Sequence, residues 1–246
     1  MKKKYMSLMV FLVLLICFLI SLVGAAIYGS DYILAEKSYD EVAKYVQESD
    51  ESGNSLKYDI DWDALRAINP EIVAWIIIPG TEVNYPVVQT TDNEKYLKKT
   101  FTGEKNSCGC IFMDCYNHGD FSDLNTIIYG HNMRNGSMFH ILNLFREQEY
   151  YSEHREIWIC TPQWQKQYQV ISAHLTKSDS DTYMIAFAKG QYEKYVGREV
   201  SQSIYDTENG YRTDLECVTL STCNGRNTNR RMVLVCQAVF EIRIAS

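Results

Sequence analysis

Met6 to Ile27 reads MSLMVFLVLLICFLISLVGAAI, 22 residues without a charge. A helix of that length rises about 33 Å, enough to cross the hydrocarbon core of a bilayer. It is the one unpunctuated apolar run in the chain. Lys2, Lys3 and Lys4 precede it, and the next charged residue is Asp31. The positive-inside rule therefore places the N-terminus in the cytosol and the bulk of the chain outside. A cleaved signal peptide is the competing reading, with Val23-Gly24-Ala25-Ala26 as its cleavage site. The run exceeds the usual ~7–15 apolar residues of such peptides, which favours a retained anchor. Either reading exports the remainder of the chain.

The exported part is acidic. The whole chain has 24 Lys+Arg against 31 Asp+Glu, and setting aside the three N-terminal lysines leaves 21 against 31. Such a surface repels phosphate backbones, so nucleic acid is not an expected partner. With 46% hydrophobic and 22% charged residues the chain is a folding one, not a disordered one. We expect three regions: a basic tail and anchor over 1–28, a helical segment over 29–70, and a single β-rich domain over 71–246.

Seven of the eight cysteines lie beyond the anchor, an odd number that cannot pair completely within one chain. Cys108, Cys110, Cys115 and His118 lie close in sequence. On a strand Cys108 and Cys110 would share one face, and no second CxxC or HxxxH completes a zinc pattern, so no metal is expected.

Ser30 is placed to cap a helix running to about Val46, and Asp61 to cap a short one holding Trp62, Leu65 and Ile68 before Pro70. A polar break spans 48–55. Beyond residue 71, β-prone runs predict strands near 74–78, 84–88, 109–113, 125–130, 157–161, 167–174, 215–222 and 232–240. Eight short strands suit a closed barrel or a sandwich, because closure removes exposed edges. Helical insertions are expected near 93–99, 137–145 and 181–200. The last offers Tyr183, Phe187, Tyr192, Tyr195 and Val196 as a packing face.

Cys223 ends the run Val218-Thr219-Leu220-Ser221-Thr222 and precedes the turn Asn224-Gly225. A strand end entering a loop suits an exposed nucleophile, and a buried strand cysteine is the alternative. His131 comes directly after another strand, with Gly130 allowing a sharp turn or close approach just before the imidazole. His118, His140, His154 and His174 compete with it. Arg231 opens the last apolar run, with Arg226 and Arg230 as rivals.

Thr219-Leu220-Ser221-Thr222-Cys223, with Tyr129-Gly130-His131-Asn132-Met133 upstream and an arginine eight residues downstream, resembles the sortases, membrane-anchored cysteine transpeptidases of Gram-positive bacteria. Tyr85-Pro86-Val87-Val88-Gln89, Asp92-Asn93-Glu94-Lys95-Tyr96-Leu97 and Ile111-Phe112-Met113-Asp114 make it similar to class B within that family. The resemblance spans roughly 70–243. It implies a mainly β fold, an eight-stranded barrel with N-terminal helices and a long helix before the cysteine strand. By motif position it implies Cys223 as nucleophile, His131 as general acid/base and Arg231 as the third catalytic residue. Arg231 is preferred to Arg230 because it directly precedes Met232-Val233-Leu234-Val235. Asn93, Leu97, Tyr129 and Ser221 match positions lining the class B sorting-signal groove.

The implied reaction cleaves an Asn/Ser-Pro-Xaa-Thr-Xaa signal of a surface protein after Thr. It passes through a thioacyl enzyme and joins the product to a peptidoglycan amine, without a cofactor. The implied setting is the outer face of the cell membrane, reached through the N-terminal helix. An exported cysteine protease hydrolysing the same bond, a pilin-polymerising sortase and a non-enzymatic peptide-binding barrel are the alternatives.

Overall fold

The computed structural model describes residues 2–49, 56–223 and 229–244, with the backbone alone at 2–4, 7, 25–28 and Cys223. The rest of the polar break and the 224–228 turn, Arg226 included, lie outside the described residues.

One helix, α1, runs unbroken over Lys2–Ala43. Ser30 therefore lies inside a helix rather than at its N-terminus. No proline interrupts the apolar run or the charged segment after it, and single glycines are tolerated within a helix at modest cost. Beyond the apolar run, Ala35, Tyr39 and Val42 recur at helical spacing and are buried against the barrel. Next comes a short antiparallel pair, β1 (Val46–Glu48) and β2 (Tyr58–Ile60), which the sequence pattern does not signal. Then α2 (Trp62–Ile68) is capped by Asp61, whose carboxylate accepts the Ala64 N–H at 2.9 Å.

The domain is an eight-stranded closed barrel. Its strands are β3 (Ile72–Ile77), β4 (Asn84–Val88), β5 (Ile111–Met113), β6 (Asn125–Gly130), β7 (Ile157–Cys160), β8 (Trp164–Lys177), β9 (Cys217–Cys223) and β10 (Arg230–Arg243). Around the barrel they run β10-β8-β7-β3-β4-β5-β6-β9, with β9 and β10 closing the ring. All neighbours are antiparallel except β4–β5 and β6–β9. Apolar side chains fill the interior, Trp75, Ile111, Leu220, Met232 and Leu234 among them. The 14-residue β8 and β10 carry register shifts at Val235/Cys236 and Ala238/Phe240, irregularities of the kind that let long strands bend around a closed sheet.

The three expected helical insertions are shorter than predicted. The first is a single 3-10 turn at Lys95–Leu97 and the second a 3-10 stretch at His140–Arg146. The 181–200 region splits into a 3-10 turn at Asp181–Tyr183, an extended link and an 11-residue helix at Gln191–Ser201. With α3 at Gln148–Glu153, that last helix is α4. Two things break the long helix. Gly190 adopts a left-handed φ of 74°, and the Thr182 and Met184 carbonyls are taken by the Asn125 side chain. Cys108 and Cys110 likewise do not lie on a strand, because Gly109 turns with φ 61° and β5 starts only at Ile111. Both thiols are buried and free, as are Cys160, Cys217 and Cys236. Burial raises the Cys110 thiol to about 12 and Cys108 to about 11, so neither is a nucleophile near neutral pH.

His174 on β8 lies 2% exposed, with its Nε2 3.4 Å from the Glu199 carboxylate of α4. Burial, and then the Arg198 charge, hold the imidazole down at about 4. Between about pH 6.5 and 4 the unfolded histidine binds a proton that the folded one refuses. Stability from this group is therefore lost as pH falls through that window. Glu199, pushed up by burial, works in the opposite direction, so the comparison of two chains isolates the histidine. Urea midpoints of H174Q should fall less between pH 7 and 5 than those of the unaltered chain; parallel curves would contradict this.

Candidate active site

Three strand ends meet at one rim of the barrel. β6 and β9 are parallel, with Tyr129 opposite Ser221 and Gly130 opposite Thr222. β10 returns antiparallel to β9, with Arg231 opposite Cys223. Sheet pairing thus aligns residue 131, just past β6, with Cys223 at the end of β9 and Arg231 at the start of β10. These are 131, 223 and 231 in the chain, brought together because the β6–β9 crossover spans most of the intervening sequence.

His131 is held from two sides. Its Nε2–H donates to the Leu97 carbonyl at 2.8 Å, and its own carbonyl accepts the Phe139 N–H at 2.9 Å. Because a carbonyl only accepts, the neutral ring carries its proton on Nε2 and leaves Nδ1 as the basic nitrogen. Gly130 and Gly109 make room for this arrangement. A Cβ on Gly130 would stand 2.5 Å from Ile111 Cδ1 and 2.6 Å from Phe139 Cγ. One on Gly109 would stand 2.5 Å from the Tyr96 carbonyl and 3.0 Å from His131 Cδ2.

A cavity of about 250 Å³ opens beside this rim. Asn93, Leu97, Tyr129, His131, Ser221 and Arg231, all singled out from the sequence, line it. Phe112, Ser178, Tyr183 and Thr222 line it too, and sequence reasoning misses them. Helical periodicity puts Tyr183 on a packing face. Instead, its hydroxyl lies 2.8 Å from Ser221 Oγ, and its ring stacks on Tyr129 with centroids 6.1 Å apart. Phe187, Tyr192, Tyr195 and Val196 make the packing face without it. Only the break in the helix, invisible in the residue pattern, frees Tyr183 for the groove.

The two arginines separate. Arg231 lines the groove, while Arg230 lines a different cavity with Lys177, Asp181 and Arg198. His118, another histidine candidate, is exposed and ion-paired with Asp123 at 2.7 Å. Among the described residues no three His, Cys, Asp or Glu side chains are grouped to hold a metal ion.

A family model described as Sortase domain matches residues 76–239. The chain belongs to the sortases. It is 32% identical over 181 residues to the sortase B of Staphylococcus aureus (strain NCTC 8325 / PS 47), covering 72% of this chain and 74% of that one. Among solved structures it is similar to sortase B from B. anthracis, at 30% identity and TM-score 0.75, over 85% of this chain and 98% of that one. It is also similar to the Staphylococcus aureus sortase B–substrate complex, at 30% identity and TM-score 0.67, over 75% and 85%. The barrel with N-terminal helices is the sortase B fold, and the chain is a sortase B-type cysteine transpeptidase that processes sorting signals at the cell surface.

The close approaches at Gly130 yield a prediction. In this sortase G130A forces the Phe139 ring or the strand end to move, and overpacking of this kind costs about 1–3 kcal/mol. Urea unfolding should report that loss together with reduced turnover; an unchanged midpoint and rate would contradict the packing account.

Proposed function

We propose that this sortase cleaves Asn/Ser-Pro-Xaa-Thr-Xaa signals after Thr and transfers the acyl group to a peptidoglycan amine, with Cys223, His131 and Arg231 as its catalytic residues. The observation that carries the proposal is the register of β6, β9 and β10, which aligns residues 131, 223 and 231 at the mouth of a peptide-sized groove.

In the first half-reaction the Cys223 thiolate attacks the Thr carbonyl carbon. The resulting oxyanion needs a positive partner, and an arginine, charged at any physiological pH, supplies one without proton exchange. The scissile C–N bond then breaks, and the departing amine takes a proton from His131. In the second half-reaction an amine attacks the thioester, His131 accepts a proton from it, and the thiolate leaves. A thiol of ordinary pKa is only about 3% ionised at pH 7, so a neighbouring imidazole matters to both steps. With Nε2 bound to the Leu97 carbonyl, Nδ1 is the nitrogen available for both transfers.

Residues 1–28 would anchor the enzyme as a single-pass protein with a cytosolic N-terminus. The apolar part of α1, with a mean hydropathy of 3.1, and the flanking lysines support that orientation. Tethering places the enzyme on the same surface as a membrane-held acyl donor and a lipid-linked acceptor, which raises their effective concentration.

The test is mass spectrometry of the detergent-solubilised full chain with such peptides and a diamino-acid or glycine amine. A thioacyl adduct and an amine-ligated product are expected, both absent in C223A. Cleavage to the free acid alone, with every amine tried, would make the enzyme a protease. R231A should lose about 10²–10³ in kcat, as expected for removal of an oxyanion donor, and R230A only a few-fold. Equal losses would remove Arg231 from the mechanism.

A further inference from the structure

We propose that Asp114 is a positioning residue that sets the hydrogen-bonding polarity of the groove wall, so that Tyr129 faces the peptide as an acceptor and Asn93 as a donor. The inference deepens the sorting-signal reading and rests on it for the identity of the peptide.

Asp114 comes directly after the last residue of β5 and is 6% exposed. Its backbone is fixed on both sides. The N–H donates to the Ile127 carbonyl at 2.9 Å, and its carbonyl accepts from Gln89 Nε2 at 2.9 Å. The carboxylate is then surrounded by donors. Oδ1 accepts the Tyr116 N–H at 2.9 Å, while Oδ2 accepts both the Tyr129 hydroxyl at 2.9 Å and Asn93 Nδ2 at 3.1 Å. Asn93 and Tyr129 both line the groove, and Asp114 does not.

Counting protons gives the consequence. Tyr129 has one hydroxyl proton and directs it at Asp114, so the groove meets only oxygen lone pairs. Desolvation, and then the charge of Asp114, keep that phenol protonated well above the usual tyrosine range, which preserves the arrangement at all working pH values. The Asn93 amide cannot flip. Its Oδ1 accepts the Cys115 N–H at 2.8 Å and one Nδ2–H goes to Asp114, which leaves the second Nδ2–H as a donor. A donor beside an acceptor complements a primary amide, a hydroxyl or a peptide group. One buried carboxylate thus orients two recognition groups without touching the substrate.

An asparagine at 114 cannot reproduce this. With its oxygen toward Tyr129 and Asn93, its NH2 opposes the Tyr116 N–H; turned over, its NH2 opposes Tyr129 and Asn93. Either way a donor faces a donor, and the neutral amide oxygen accepts more weakly than the carboxylate it replaces. Steady-state kinetics of the solubilised full chain with an Asn-Pro-Ala-Thr-Gly peptide and a glycine amine test the idea. D114N should raise KM ~10-fold or more while kcat stays within ~3-fold, the signature of lost binding with intact chemistry. Y129F should also raise KM. Because the two side chains act through one contact, the KM of D114N/Y129F should fall short of the product of the single effects. An unaltered KM in D114N, a loss in kcat alone, or fully multiplicative effects would overturn the proposal. If circular dichroism shows D114N unfolded, Y129F decides alone, and an unchanged KM rejects the proposal. Equilibrium binding of the peptide to C223A and C223A/D114N separates the two levels of inference. Weaker binding without Asp114 supports the positioning role even if the unaltered chain forms no adduct, and such a missing adduct counts against the transpeptidation reading only. Equal binding by both overturns the positioning role.

Discussion

The structure depends on a single strand with two different neighbours. β9 is hydrogen-bonded in parallel to β6 and antiparallel to β10, and these pairings close the barrel. A slip of one residue in either pairing would turn every side chain of the slipped strand to the other face, burying polar groups in a dense apolar interior. Core packing of Leu220, Met232 and Leu234 therefore enforces the register. The register in turn aligns residues 131, 223 and 231. Stability of the barrel and geometry of the site are one constraint viewed from two sides.

Around that rim, backbone carbonyls and small residues do what side chains alone could not. The Leu97 carbonyl selects the tautomer of His131, and Gly109 leaves the space that the Tyr96 and Leu97 carbonyls and the imidazole edge crowd around. The Gly109 carbonyl in turn accepts the hydroxyl of Tyr39, at 2.6 Å, from the helix that continues the apolar N-terminal run. Tyr39 also packs edge-on against Tyr85, whose hydroxyl receives the Met138 N–H in the hairpin after His131. The N-terminal helix is thus mechanically continuous with the support of the candidate site.

Much of this is legible in the residues. Each of the eight barrel strands contains a β-prone run that the pattern predicts, although β8 and β10 extend well past those runs to 14 residues each. The candidate residues are legible for another reason, the resemblance of their surrounding motifs to a known family; position at a strand end alone leaves a buried cysteine and rival histidines and arginines open. The failures share one cause. Ser30 looks like a cap, and 181–200 looks like a helix, only as long as local propensity decides. An uninterrupted helix overrides the first, and hydrogen bonds from Asn125, 57 residues earlier in the chain, contribute to breaking the second. The β1–β2 pair escapes detection because three-residue strands carry too little periodicity to register.

By itself, then, the sequence determined the apolar N-terminal helix and the β-rich runs of the domain, and it offered cysteine, histidine and arginine candidates at strand ends. Alternation, hydrophobicity and reactive-group chemistry are all local properties. Tertiary structure alone decided which arginine faces the groove, that Tyr183 joins it, and that Asp114 lies behind Asn93 and Tyr129. Those outcomes depend on barrel closure and on contacts between residues far apart in the chain, and no local pattern encodes the register that brings them together.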